Sequence, residues 1–332
     1  MTLIDSFRRR VTYLRVSLTD RCNYRCAYCM PADGVALRPR AELLSFEEIE
    51  RVVRCFARMG VRRVRLTGGE PTVRRDVVEL ARRLAALPGI DELCLTTNGH
   101  LLAELARPLR EAGVRSLNVS LDSLRADRFR AITRRGDLDA VLAGIEAARA
   151  AGFPSLKLNA VGLRGINEDE LADLCRFAWQ REIVPRFIEW MPMGEGEAFS
   201  PGAFLSAREM RARIEADLGG RLEPIVGAGG GIAGPARTWR HAPSGRDAGF
   251  IAALTENFCE TCNRVRLTSA GEIHTCLARD EAVSLRDLLR AGATDDALEE
   301  AILASVIGKQ SGHAFTTLGC GGPRTQMVAI GG

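Results

Sequence analysis

Residues 13–29 read YLRVSLTDRCNYRCAYC, a short apolar segment followed directly by three closely spaced cysteines. Short segments rich in apolar and β-branched residues are typical of buried strands. Similar segments recur along the first two-thirds of the chain, with amphipathic stretches between them. The predicted strands are 13–18, 64–67, 92–96, 116–120, 156–161 and 186–188. The predicted helices are 46–59, 77–87, 101–112, 138–151 and 168–179.

This alternation predicts an α/β fold with parallel strands joined by right-handed crossovers. About six βα units fit into residues 1–193, fewer than the eight of a closed TIM barrel. We therefore expect an open, partial TIM-type barrel, with a flat doubly wound sheet as the alternative. Glycine- and proline-rich segments follow, so residues 194–332 are expected to form a smaller C-terminal region that covers the mouth of the barrel.

The composition is that of an ordinary soluble globular protein, with 46% hydrophobic and 27% charged residues and a net charge of +4. Apolar runs are far shorter than the roughly 20 residues that cross a membrane, and the N-terminus lacks the apolar core of a secretory signal. Aromatic residues make up only 5%, and no basic stripe is interleaved with them. We expect a cytoplasmic enzyme that binds neither membrane nor nucleic acid.

Cys22, Cys26 and Cys29 offer three soft thiolate ligands, which suit an iron–sulfur cluster or zinc. A structural zinc site normally takes four protein ligands, and no fourth cysteine or histidine lies nearby in sequence. Three ligands on a four-iron cluster instead leave one iron open to a substrate. The cluster is therefore the favoured interpretation, and zinc stays the alternative.

A second cysteine group, at Cys259, Cys262 and Cys276, again offers three thiolates. By itself this spacing favours zinc, with His274 or Cys320 as a fourth ligand. Beside the first group, a second iron–sulfur cluster becomes the preferred interpretation. The remaining cysteines are isolated, and we expect them to be inert thiols: Cys55, Cys94 and Cys175, in helical or strand patterns, and Cys320.

Further unusual residues follow the predicted strands. The segment TGGEP at 67–71 comes after the second strand, Ser120 ends the fourth, and Met191 follows the sixth. Because the carboxyl ends of parallel strands share one face, these residues and the first cysteine group are expected to meet in one cavity. The two glycines of TGGEP allow close backbone approach, and its glutamate could accept a hydrogen bond from an ammonium group.

The CxxxCxxC spacing with Tyr28 before its last cysteine, together with TGGEP, resembles the radical S-adenosylmethionine superfamily. Over essentially the whole chain, the sequence further resembles the GTP 3′,8-cyclase family of molybdenum cofactor biosynthesis. This second resemblance is carried by LRVSLTDRCN at 14–23, RLTGGEP at 65–71, LTTNG at 95–99, KLN at 157–159, RFIEWM at 186–191, CETCNRVRL at 259–267 and the terminal Gly331-Gly332.

The resemblance implies a lyase that converts GTP to (8S)-3′,8-cyclo-7,8-dihydroguanosine 5′-triphosphate with S-adenosylmethionine and two 4Fe–4S clusters. The resemblance implies that Cys22, Cys26 and Cys29 bind the first cluster, which generates the radical. It implies that Cys259, Cys262 and Cys276 bind the second cluster, which anchors guanine. The S-adenosylmethionine contacts that it implies are Tyr28, Gly69, Glu70, Ser120 and Met191. The GTP contacts that it implies are Arg15, Arg65, Thr96, Lys157, Arg264, Val265 and Arg266, of which Arg264 and Arg266 count as catalytic with the first cysteine group.

The resemblance also implies a low-potential electron donor, leaves a homodimer open, and implies that the Gly331-Gly332 tail reaches into the active site. A frayed terminus is the alternative for the tail. Two other functions stay open. One is a radical S-adenosylmethionine enzyme that modifies a peptide, against which the paired arginines after Cys262 and the terminal glycines favour GTP. The other is a zinc-stabilised binding module without catalysis.

Overall fold

The computed structural model describes residues 2–194, 199–225 and 234–331, and within them twelve strands form one mixed sheet. The first six strands are β1 Tyr13–Ser17, β2 Arg63–Thr67, β3 Glu92–Thr97, β4 Val114–Ser120, β5 Ser155–Gly162 and β6 Val184–Glu189. The others are β7 Leu222–Pro224, β8 Arg237–His241, β9 Arg246–Ile251, β10 Arg264–Leu267, β11 Glu272–His274 and β12 Val283–Ser284.

Strands β1 to β6 lie side by side in chain order, and each pairs in parallel with the next. A doubly wound sheet reverses its strand order at a switch point. The observed order has no such reversal, so it does not match the doubly wound alternative. The fold is an α/β fold around an open, largely parallel sheet, with β12 at one edge and β7 at the other.

Strands from the later part of the chain extend this sheet at both edges. Strand β10 pairs in parallel with β1, and β9 pairs in parallel with β6. Antiparallel strands then complete each edge, β11 and β12 beside β10 and β8 and β7 beside β9. Because β10 runs parallel to β1, Cys262 lies just before the start of this strand pair, whereas the first cysteine group follows the end of β1. The two cysteine groups therefore lie at opposite ends of the same pair of strands.

The helices are α1 Phe46–Arg58, α2 Val77–Ala85, α3 Leu102–Glu111, α4 Ala126–Thr133, α5 Leu138–Ala150, α6 Leu171–Trp179, α7 Ala207–Leu218, α8 Leu285–Arg290, α9 Asp295–Ile307 and α10 Met327–Ile330. All five predicted helices are confirmed, with ends that shift by up to three residues. Five helices were not predicted: α4, whose short apolar pattern gives little periodic signal, and α7, α8, α9 and α10 of the later part of the chain. The start of α1 is fixed by Ser45 and Glu48, which form a reciprocal capping box.

Side chains alternate across the inner strands, so each strand has an apolar and a polar face. The apolar face packs into the buried core against the helices, and its members include Leu14, Val16, Leu66, Leu95, Leu117, Phe187 and Val265. The other face carries Arg15, Arg65, Thr96, Ser120, Lys157 and Arg266. Polar side chains therefore cover the face of the sheet that is opposite the helices. No helix among the described residues is long and apolar enough to cross a membrane.

Candidate active site

A cavity of ≈ 540 Å³ lies on the polar face of the sheet, within the size range of small-molecule sites. All the residues predicted to hold the clusters, S-adenosylmethionine and GTP line it except Val265, which is buried in the core with 0% exposure. Both cysteine groups are among the lining residues. The topology therefore brings motifs from both ends of the sequence to one chamber, as the positions after the strands predicted.

The first cysteine group lies on the loop that follows β1. A turn in which Cys29 N donates to Cys26 O at 2.9 Å brings its last two members together. The Arg25 guanidinium supports the loop by donating from Nη1 to Cys22 O at 2.6 Å. Burial raises the pKa of the Cys22 thiol to about 11 and that of Cys29 to about 12. Thiolates at these half-buried positions are favoured by a positive partner, which iron would supply.

The three thiols are partly exposed and reach the cavity. Across residues 2–194, 199–225 and 234–331, no three His, Cys, Asp or Glu side chains converge on a single metal ion. A cluster does not need that convergence, since each cysteine binds a different iron atom. The residues present at the first group fit a cluster that a ligand reaches from the cavity.

The TGGEP segment packs directly on the cysteine loop. A Cβ at Gly69 would lie 2.3 Å from Arg21 O, so only glycine permits this approach. The Glu70 carboxylate is buried and accepts hydrogen bonds from Thr97 Oγ1 and Asn98 N, both at 2.7 Å. Much of its acceptor capacity is thus used to join the ends of β2 and β3. Its contact with S-adenosylmethionine stays a prediction.

Asp122 is a cavity residue that sequence reasoning missed. Its Oδ2 accepts a hydrogen bond from the Tyr28 hydroxyl at 2.7 Å, and its Oδ1 accepts one from Val161 N at 2.8 Å. Burial raises the pKa of the Asp122 carboxyl to about 6. Ser120 and Met191 line the same cavity. Asp122 could have been predicted from its position two residues after Ser120, the last residue of β4, because residues that follow parallel strands line the same cavity.

Three arginines stand side by side across neighbouring strands. Arg15 is in register with Arg65 of β2 on one side and with Arg266 of β10 on the other. Burial lowers the pKa of Arg15 to about 10, and the charges of Arg65 and Arg264 add to this effect. Arg65 and Arg266 are buried and Arg15 is half-buried, and cations this close together in a largely buried site are stabilised by an anion. This wall is therefore suited to a polyanion such as a triphosphate.

Lys157 and Arg186 extend the cationic wall along β5 and β6. Burial and the charge of Arg186 lower the pKa of Lys157 to about 8. Burial likewise lowers the pKa of Arg186 to about 9. Its Nε donates to Asn159 Oδ1 at 3.0 Å, and its Nη2 is buried without a hydrogen-bond partner among the described residues. Sequence reasoning missed Arg186, although it lies inside the quoted segment RFIEWM.

The second cysteine group approaches the same wall. Arg264 Nη2 lies 3.6 Å from Cys262 Sγ, and the Arg264 guanidinium stacks over the Phe258 ring at 4.7 Å. Burial raises the pKa of Cys262, but the charges of Arg264 and Lys309 outweigh it and lower that pKa to about 7. Cys259 and Cys276 line the cavity as well. These three thiols also fit soft metal chemistry facing the chamber.

Two buried cations brace the second cysteine group, and neither was predicted. Arg9 donates from Nη1 to Cys259 O at 2.8 Å, while its Nε is paired with Asp5. Lys309 is 3% exposed and donates from Nζ to Arg264 O at 3.0 Å. Both bonds end on backbone carbonyls. The positions of Cys259 and Arg264 therefore depend on residues that lie far away in sequence.

The isolated cysteines do not line the cavity. Cys55, Cys94 and Cys175 are buried, which suits the inert role predicted for them. Cys320 is exposed on a turn in which its N–H donates to Thr316 Oγ1 at 3.1 Å. His274, the other residue considered as a fourth ligand, is buried on β11 with Nδ1 at 3.3 Å from Arg279 O.

The C-terminal segment enters the cavity region. Asp280 holds it by accepting hydrogen bonds from Thr325 N at 3.0 Å and Thr325 Oγ1 at 2.7 Å. At its end, Gly331 O accepts from Arg266 Nη1 at 2.8 Å and from Thr67 Oγ1 at 3.3 Å. Gly331 is therefore buried at the predicted site, which argues against a frayed terminus. Gly332, the other half of the predicted tail, lies outside the described residues.

Comparison with known proteins agrees with this geometry. Residues 16–178 match the model of the Radical SAM superfamily, and residues 183–315 match that of Molybdenum Cofactor Synthesis C. Among solved structures, Streptococcus suis SuiB bound to precursor peptide SuiA aligns with a TM-score of 0.62 at 15% identity, over 91% of this chain and 71% of that one. This similarity supports the fold alone.

Curated relatives are much more similar. The GTP 3′,8-cyclase of Pseudomonas entomophila is 50% identical over 317 residues, which cover 94% of this chain and 93% of the relative. The GTP 3′,8-cyclase of Heliobacterium modesticaldum is 45% identical over 330 residues, which cover 99% and 100% of the two chains. With the cysteine groups and the cationic wall in one cavity, these relatives establish that the chain belongs to the GTP 3′,8-cyclase family of radical S-adenosylmethionine enzymes.

Proposed function

We propose that the chain converts GTP to (8S)-3′,8-cyclo-7,8-dihydroguanosine 5′-triphosphate, the first step of molybdenum cofactor biosynthesis. The observation that carries the proposal is the buried to half-buried cationic wall that lines one cavity with two groups of three thiols. A triphosphate needs several charge-assisted donors, and a radical reaction needs a chamber that holds one hydrogen in reach and keeps water out.

The first cysteine group, Cys22, Cys26 and Cys29, would hold a 4Fe–4S cluster. When bound, that cluster supplies the electron that converts S-adenosylmethionine to methionine and a 5′-deoxyadenosyl radical. Of the chain's own residues, Gly69 lets the backbone approach closely, and Ser120 and Met191 line the adjoining wall. Tyr28 is held by Asp122, so its ring is fixed at this end of the cavity.

The residues of the cationic wall would bind the substrate. Arg15, Arg65 and Arg266 would pair with phosphate oxygens, and guanidinium forks suit such bidentate contacts. Lys157 and Arg186 would neutralise the remaining charge, since their pKa values are lowered only while no anion is present. Thr96, which accepts from Arg65 Nη1 at 3.2 Å, would keep that guanidinium aimed. For Val265, whose side chain is in the core, only a backbone contact is compatible with the role.

The second cysteine group, Cys259, Cys262 and Cys276, would hold a second 4Fe–4S cluster whose free iron binds the guanine base. Arg264 would then lie between this cluster and the phosphates, because its guanidinium already contacts Cys262 Sγ. The exposed position of Cys320 supports three protein ligands at this cluster rather than four.

The remaining parts of the proposal concern the whole molecule. We place the six βα units of a partial TIM-type barrel in residues 1–193, and assign residues 194–332 to a C-terminal region that closes its mouth and carries the second cluster. A low-potential electron donor is required. A cytoplasmic location and a homodimer stay predictions. The peptide-modifying alternative is less favoured, since a peptide would leave the buried cations without an anionic partner.

The decisive experiment is anaerobic incubation of the purified holoenzyme with dithionite, S-adenosylmethionine and GTP. We expect 5′-deoxyadenosine and the cyclised nucleotide in equal amounts. Formation of 5′-deoxyadenosine that does not depend on GTP, with no cyclised product, would overturn the proposal. A colourless preparation with about one zinc per cysteine group would instead support the zinc-stabilised binding module.

A further inference from the structure

The outer side of the first cysteine loop carries a basic surface that the reaction itself does not use. Two of its arginines belong to the loop, and three belong to α4 and the residues that follow it. We call them the loop arginines: Arg21, Arg25, Arg130, Arg134 and Arg135. Four are exposed and Arg25 is half-buried. None lines the cavity, so the proposed GTP site does not account for them.

Hydrogen bonds place the end of α4 directly against the loop. Arg25 N donates to Thr133 O at 3.0 Å, and Ala27 N donates to Ile132 O at 2.9 Å. The Arg134 guanidinium donates from Nη1 to Arg25 O at 3.2 Å. The loop that holds the first cysteines and the end of α4 are therefore packed together, and these two segments carry the loop arginines.

Several of these cations have no carboxylate partner, unlike many arginines elsewhere on the surface. On the same helix, Arg128 donates to Asp169 at 2.6 Å. In the part of the chain that the structure describes, the side chains of Arg21, Arg130 and Arg135 make neither an ion pair nor a hydrogen bond. A concentrated positive field thus remains free for a partner.

Fewer acidic residues than basic ones lie on these segments. Asp127 is exposed on α4, three residues before Arg130, and pairs with Arg125 Nε at 3.8 Å. Asp33 is exposed on the loop that continues from the cysteines. Asp137 is exposed after α4, but its Oδ1 accepts hydrogen bonds from Asp139 N and Ala140 N and caps α5. They do not balance the five loop arginines, so the surface stays positive.

We propose that the loop arginines dock a small, acidic electron-transfer protein that reduces the first cluster. This inference rests on the proposed function, in which each turnover takes up two electrons and one proton from outside the chain. One electron breaks the carbon–sulfur bond of S-adenosylmethionine, giving methionine and the 5′-deoxyadenosyl radical, which takes a hydrogen from the ribose. The second electron and the proton reduce the cyclised purine radical. The acidic donor must therefore approach this cluster closely.

The loop arginines are placed for that approach. Arg21 immediately precedes Cys22, and Arg25 lies between Cys22 and Cys26 and donates to Cys22 O. A donor seated on this surface is separated from the thiols by one loop. Charge complementarity would speed its encounter and make it sensitive to salt, because exposed charges are screened over roughly 10 Å at 0.1 M ionic strength.

The test compares charge reversal at Arg130→Glu with Arg135→Glu against a matched double variant, Arg107→Glu with Arg115→Glu. All four positions are exposed, and the control pair lies on α3 and β4, away from the loop. The probe is an acidic flavodoxin, reduced by NADPH through its reductase. We measure its Kd for the holoenzyme by fluorescence anisotropy, and the rate of GTP-dependent 5′-deoxyadenosine formation with flavodoxin and with dithionite.

We expect the loop variant to weaken flavodoxin binding and to slow the flavodoxin-driven rate by roughly tenfold, with about the same dithionite-driven rate as wild type. The control variant should match wild type in all three measurements. Three results would overturn the proposal. They are equal losses of flavodoxin binding and rate in both variants, an unchanged flavodoxin Kd in the loop variant, or binding of single-stranded DNA to the wild type that is as tight as that of flavodoxin. Failure of the dithionite reaction in wild type would instead count against the proposed function, and the Kd comparison would still test the surface.

Discussion

The Nη1 atom of Arg266 lies 2.8 Å from the carbonyl oxygen of Gly331, at the end of the C-terminal segment. The same guanidinium belongs to the wall proposed to bind the triphosphate, and burial lowers its pKa well below the usual range. One side chain therefore serves both the tail and the substrate site. Changes at either end of this contact should affect the other.

Arg266→Ala should raise the KM for GTP by at least about tenfold, since a buried charge-assisted contact contributes roughly 1.5–3 kcal/mol. Cleavage of S-adenosylmethionine without GTP should persist, because the thiols whose charges act on Arg266 are Cys262 and Cys276 of the second group. Steady-state kinetics and 5′-deoxyadenosine analysis check both points. An unchanged KM would show that Arg266 does not bind GTP.

Gly331→Ala should displace the tail. A Cβ there would lie 2.6 Å from Thr67 Oγ1, and the residue has φ +77. We expect loss of most cyclisation while the thermal midpoint changes little. Gly152→Ala is the matched control, since Gly152 has φ +69 but nothing within 4 Å. It shares the backbone strain of about 1 kcal/mol without the clash. Similar loss of activity in both variants would contradict this role for the tail.

GTP affinity should depend on pH through Lys157. Its pKa in the free protein is lowered to about 8, so the ammonium is charged below pH 8 and becomes neutral above it. Only the charged form attracts phosphate, and bound GTP would raise the pKa again. The KM for GTP should therefore rise as pH increases through 8. Lys157→Arg should remove this step, and a pH profile of kcat/KM that is the same in both proteins would refute the assignment.

Cys26→Ala should abolish cleavage of S-adenosylmethionine, because the first group would lose one of three ligands. The iron content should fall by about half if the second cluster stays. Cys320→Ala is the control, since Cys320 is exposed and outside the cavity. It should keep full iron content and activity. Iron and sulfide analysis on anaerobic protein, together with electron paramagnetic resonance, measures each cluster.

Glu189→Gln should destabilise the chain by about 2–4 kcal/mol. The Glu189 carboxylate is 0% exposed and accepts from Ala207 N and Leu254 N at 2.8 Å, and also from the backbone and hydroxyl of Thr255. The side-chain amide of glutamine would replace one accepting oxygen by an NH2 group, whose two N–H donors would face the N–H and O–H donors that bind Glu189. Thr255→Val, which removes one bond only, should lose less. Urea unfolding gives both free energies, and equal losses would argue against a central role for the carboxylate.

Much of the fold was accessible from sequence, because strand and helix periodicity are local properties. All six predicted strands are present, and their ends differ by at most two residues. The cysteine groups and TGGEP could be recognised in the sequence, because binding a cluster and allowing close backbone approach each require these residue types at this spacing. The short helix α4 was missed, since its eight residues carry too few apolar positions to show a period.

The sequence alone determined which residues could hold iron, approach S-adenosylmethionine or pair with phosphate. The folded chain was needed to show that Arg186 and Asp122 line the cavity, that Val265 does not, and that Arg9 donates to the backbone of Cys259. The physical reason is that polar residues on strands look the same in sequence on either face. Pairing between strands that are distant in sequence, above all β10 with β1, determines which face of the sheet lines the cavity. It also determines which charged side chains lie together on that face.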